Sequence, residues 1–90
     1  MPVQHDDDQY AAYFAELLKK DLSGRSPSIP PKSWEWTCVL LWMAEEARAL
    51  VDHLTLSPGT RRQVLDLAEQ AREEVRKTRR ACPELVPVGV

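Results

Sequence analysis

Two histidines, two cysteines, the adjacent glutamates Glu45 and Glu46 and a run of arginines are where chemistry would have to start in this 90-residue chain. His53 stands beside Asp52, and His5 lies in the acidic leader with Asp6, Asp7 and Asp8. A helical di-iron site needs Glu-x-x-His on inward faces, and a helical zinc protease needs His-Glu-x-x-His; the chain has neither. Cys38 falls in the most apolar stretch, where a thiol stays protonated and inert, whereas Cys82 follows a cluster of arginines that could lower its pKa. Glycine-rich phosphate loops and nucleophile elbows are missing. The expectation is a chain that is not an enzyme and needs no cofactor or metal.

The pair Glu45-Glu46 resembles the acidic pair in the magnesium motif of all-α nucleotide pyrophosphohydrolases. That motif places further carboxylates at set spacings, and its third position here is Ala49, so the likeness ends at the pair. The basic residues have more to offer. Arg61, Arg72, Arg76 and Arg79 share a flank at helical spacing, and Arg76 to Arg80 reads RKTRR. Arg72, Arg76, Lys77, Arg79 and Arg80 are therefore candidate phosphate contacts, since each cation that neutralises a phosphate releases a counterion. A plainer account is that Glu69 with Arg72 and Glu73 with Lys77 form helix ion pairs, that the cations complement a helix C-terminus, and that Arg79 lies over Trp36. No DNA-reading turn is recognisable.

The elements that position these residues are helical. Tyr10, Tyr13, Phe14, Leu17, Leu18 and Leu22 recur at three-and-four spacing, which predicts helix one over about 7–22. Ser23-Gly24 stops it, and the prolines of residues 23–33 make a linker with Ile29 as its anchor. Ser33 is the expected N-cap of helix two, about 34–56, and Ser57 with Pro58 starts helix three, about 58–81. The tight link makes helices two and three an antiparallel hairpin in which facing residue numbers total about 115. In that register Val51 meets Val64, Ala47 meets Ala68, Ala44 meets Ala71 and Leu40 meets Val75. Cys38 and Cys82 then miss one another by roughly 7–8 Å along the axis, too far for a disulfide. The predicted fold is all-α, a single helical domain over 1–82: a three-helix bundle built on this hairpin, helix one packed across it, and an extended tail at 83–90.

Helix two carries the most informative pattern. Nine residues from Trp36 to Ala44 are almost all apolar. At 100° per residue Trp36, Val39, Leu40, Met43, Ala44, Ala47, Leu50, Val51 and Leu54 form the core face, while Trp34, Cys38, Leu41 and Trp42 point elsewhere. Either helix one or another molecule must cover that second patch.

Twelve Lys and Arg against fourteen Asp and Glu give a net charge of −2, so no global field draws nucleic acid or anionic lipid. No stretch approaches the ~20 apolar residues that span a bilayer, and neither end resembles a targeting signal, which points to a cytoplasmic protein. The Ala, Arg and Leu usage resembles that of GC-rich bacterial genomes. The functional expectation is a non-catalytic, regulatory protein–protein interaction module, homodimeric through Trp34, Cys38, Leu41 and Trp42. The alternative is a nucleic-acid-binding regulator using the basic flank.

Overall fold

Ser33 opens the element that organises the molecule: its hydroxyl accepts from the Trp36 amide at 3.2 Å while donating to the Pro30 carbonyl at 2.6 Å. The computed structural model describes residues 3–24, 30 and 32–81, with side chains from Asp7 onward. Among these are three helices and no strand: α1 (Val3–Leu22), α2 (Trp34–His53) and α3 (Pro58–Ala81). The all-α bundle expected from the sequence is the fold observed. The α2–α3 contact is the most extensive, and α1 packs on both. Ile29, Cys82 and the 83–90 tail lie outside the described residues.

The hairpin seam is lined with alanines. Ala44, Ala47, Ala68 and Ala71 are all buried, and their small side chains let the two helix axes approach. Arg79 meets Thr37 and Arg72 meets Glu45, each within about two residues of the expected register. Large side chains fill either end of the seam: Trp36, Leu40 and Val75 at one, Val64 and Leu67 at the other.

Three details differ from the sequence expectation, each for a tertiary reason. α1 begins at Val3 rather than near residue 7, so Asp7 and Asp8 lie a turn inside the helix, where they serve the link between α2 and α3 and not the start of α1. Asp7 accepts from the Thr55 amide and Asp8 from the Ser57 amide, both at 2.9 Å. Those contacts explain the second difference, that α2 ends at His53 and not near 56. Leu54 turns extended, its amide still bonded to the Leu50 carbonyl, and the next free amides find carboxylates of α1 in place of carbonyls four residues back. Third, the inward face of α1 is Ala11, Ala15 and Leu18, flanked by Phe14 and Leu22, while Tyr10, Tyr13 and Leu17 are exposed. Two alanines let α1 lie close against the hairpin, so that of the expected stripe Phe14, Leu18 and Leu22 face inward while Tyr10, Tyr13 and Leu17 turn outward.

Gly24 takes a positive φ of 75° and closes α1 with its amide on the Asp21 carbonyl. The Trp36 indole donates to the same carbonyl at 2.7 Å, locking the end of α1 to the start of α2. Ser57 precedes Pro58 as expected, but its hydroxyl pairs with the Thr60 hydroxyl, and its carbonyl receives the Arg61 amide.

Candidate functional site

With α2 started by Ser33, helical geometry sends Trp34, Cys38, Trp42 and Glu45 to the side away from the core, while Leu41, expected to point outward with them, lies at the edge of the stripe and packs against the core cluster. Trp42 is 62% exposed, Trp34 and Leu41 are half-buried, and Cys38 is an exposed free thiol. Helix one does not roof this stripe: Tyr13 is itself 64% exposed, and Phe14 packs against the core cluster. The indole that α1 engages is Trp36.

Arg79 of α3 closes the upper part of the stripe. Its guanidinium lies 4.1 Å above the Trp34 ring, its Nε donates to the Thr37 hydroxyl at 3.1 Å, and its Nη2 is 3.8 Å from the Cys38 sulfur. Thr37 is fully buried and donates to the Trp34 carbonyl at 2.7 Å. The expected stacking of Arg79 on Trp36 is thus corrected by two residues: Trp36 faces inward, and the cation above it is Lys32, 4.9 Å from the ring centre. Thr37 was not marked by its apolarity, although 37, 40, 44 and 47 follow the three-and-four spacing of the face that meets α3.

Below Arg79 an open groove of about 780 Å³ runs between α2 and α3. Leu41 and Val75 give it apolar surface, and Glu45, Arg72, Arg76, Arg79 and Arg80 give it charge. Four of the five candidate phosphate contacts therefore come together. The fifth, Lys77, lies on another side of α3 near Lys32 and Glu74. The ion pairs also differ from those expected at helix spacings. Arg72 reaches across to Glu45 at 3.5 Å and Arg76 takes Glu73 at 2.7 Å, so neither Glu69–Arg72 nor Glu73–Lys77 is formed. Glu74 instead holds Lys32 at 2.9 Å. That hydrogen bond keeps the Glu74 carboxyl below its ordinary range, against a smaller opposing effect of burial.

Among the described residues no three His, Cys, Asp or Glu side chains gather in a way that could hold a metal ion, and His53 is exposed at the end of α2. No helix among them is long and apolar enough to cross a membrane. Compared with protein families, curated proteins and solved structures, the chain matches none.

Proposed function

We propose that this chain is a non-catalytic assembly module that pairs with a second copy of itself through the outward stripe of α2, acting in a bacterial cytoplasm. The observation that carries the reading is Trp42, exposed in the middle of a stripe whose neighbours Trp34 and Leu41 are already half-buried and held in place. Trp and Arg are the residue types that concentrate binding energy at interfaces, and here Arg79 is fixed beside Trp34 before any partner arrives. Size supports the same reading: a bundle this small buries only about 60–65% of its unfolded surface, so a second copy adds burial that one chain lacks. An exposed free thiol at Cys38 is in keeping with a reducing compartment.

Light scattering on the purified chain and on Trp42→Asp tests the proposal. The native chain is expected to be dimeric at tens of micromolar, and the variant monomeric with an unchanged helical circular dichroism spectrum. Loss of such an anchor costs on the order of 2 kcal/mol, about thirtyfold in Kd. A native chain that stays monomeric would remove the basis for the reading.

The arginine groove favours a second reading, a nucleic-acid contact, because Arg72, Arg76, Arg79 and Arg80 share one surface. Ionic strength separates the two. Phosphate contacts weaken steeply as salt rises, whereas apolar self-association persists or strengthens.

A further inference from the structure

The stripe and the groove together say how a second copy would lie. We infer that two copies dock with their α2 helices antiparallel, the two-fold axis falling beside Leu41 and Trp42, so that Glu45 of each copy enters the Arg76–Arg79 end of the other's groove. This rests on the dimeric reading above and adds to it the direction and the polar contact.

The argument is one of charge along a single face. On the N-terminal side of Trp42, the stripe is bordered by the guanidiniums of Arg76 and Arg79. On its C-terminal side stand Glu45 and Glu46, both exposed, with exposed Asp52 beyond them; Arg48 and Arg72 on this side and Glu35 on the other reduce the asymmetry without reversing its sign. In a two-fold contact every residue meets the same surface patch of its copy. If the helices ran parallel, each group would lie opposite itself, arginine to arginine and glutamate to glutamate, a repulsion that the intrachain contacts Arg72–Glu45 and Arg76–Glu73 offset only in part. Running antiparallel about the Leu41–Trp42 level, Cys38 of one copy lies opposite Glu45 of the other, and Trp34 lies opposite the small Ala49. Glu45 then arrives where Arg79 already touches Cys38.

Both partners suit the exchange. Glu45 has a 74% exposed side chain and only a long 3.5 Å contact to Arg72. Arg79 is held by Thr37 and Trp34, so its guanidinium loses little freedom when a carboxylate reaches it. Trp42 would pack across the axis on Leu41 and Trp42 of the second copy, supplying the apolar centre that the polar rim surrounds.

The experiment uses charge reversal in the full chain with Cys82→Ser throughout. Glu45→Arg alone and Arg79→Glu alone each put like charges at both exchange points, and each dimer is expected to weaken at least tenfold. An equimolar mixture forms heterodimers in which both points again pair opposite charges, so sedimentation should show dimer restored in the mixture only. Should Arg79→Glu lose its helical spectrum, Arg76→Glu takes its place, since both arginines line the same end. Oxidation of the Cys82→Ser chain gives an independent reading of direction. Antiparallel copies hold their Cys38 residues about 10 Å apart along the axis, beyond disulfide reach, whereas parallel copies bring them together. Single variants that dimerise as tightly as the parent, a mixture that fails to restore the dimer, or a dimer that oxidation crosslinks through Cys38 overturns the antiparallel arrangement and leaves the dimer standing. A monomeric parent chain overturns both.

Discussion

Replacing a threonine by valine should change the stability of this bundle in opposite directions at two buried sites. Thr37 on α2 is 0% exposed and Thr78 on α3 is 5% exposed, and valine keeps the branched shape of both with little difference in helix propensity. Their hydroxyls differ. That of Thr37 donates to the Trp34 carbonyl and accepts from the Arg79 guanidinium, whereas that of Thr78 has no hydrogen-bond partner among the described residues. At Thr37 the change forfeits a bond to a charged group, worth about 1.5–3 kcal/mol, which sets the expected loss. At Thr78 it removes a buried hydroxyl whose desolvation is uncompensated, so a gain of about 1 kcal/mol is expected. Urea unfolding followed by circular dichroism at 222 nm reads both. For a domain this size each kilocalorie corresponds to about 4–8 °C in Tm, so the two variants should differ by at least 10 °C or so. A Thr78→Val chain less stable than its parent, or a neutral Thr37→Val, would refute the account of this seam. Thr37→Val should also loosen Arg79 and weaken self-association at temperatures where the chain remains folded.

Two further outcomes follow from the ends of α1. The double change Asp7→Ala and Asp8→Ala uncaps the amides of Thr55 and Ser57 and should cost about 1–3 kcal/mol, with faster hydrogen exchange at those two amides as the local signature. Asp21, in the last turn of α1, has its pKa raised from the ordinary 3.8 by burial, with Lys20 opposing. Its charged form is thus disfavoured by folding, and it also faces the negative end of the helix dipole. Asp21→Asn should therefore stabilise the protein at pH 7 by about 0.3–1 kcal/mol. That advantage shrinks as pH falls through the raised pKa and is gone below 3.8, where the parent's carboxyl is neutral in both states. An advantage that grew in acid would contradict this sign.

The hairpin was legible in the sequence because its determinants are local and periodic: Pro58 fixes the start of α3, and alanines opposing alanines fix the register. The outward placement of Cys38 and Trp42 was legible for the same reason, since both fall off the core face by angle alone, whereas Leu41, grouped with them by angle, sits at the edge and packs against the core. What could not be read were choices made between elements. That Asp7 and Asp8 accept from two amides nearly fifty residues away, and do not serve the start of their own helix, is a choice of this kind. Which indole lies under Arg79 depends on α1 having taken Trp36 through the Asp21 carbonyl, and nothing in the pairing of α2 with α3 announces that. The outward turn of Tyr10 and Tyr13 is similar: hydrophobic spacing marked the larger side chains, and close approach chose Ala11 and Ala15. Lys77 was grouped with the arginines by sequence proximity, yet one residue is 100° on a helix, enough to carry it off the groove.

The three indoles occupy three separate settings: Trp36 enclosed and donating to a carbonyl, Trp34 beneath a guanidinium, Trp42 largely in water. At concentrations low enough to keep the chain monomeric, their emission should therefore be a composite in which the red edge belongs to Trp42. Iodide should extinguish that component first and leave the Trp36 component almost untouched. Anything that settles on the outward side of α2 would dry Trp42 and draw the red edge towards the blue, while unfolding moves the other two the opposite way. The chain thus carries its own optical gauge, able to tell attachment from loss of structure without a label.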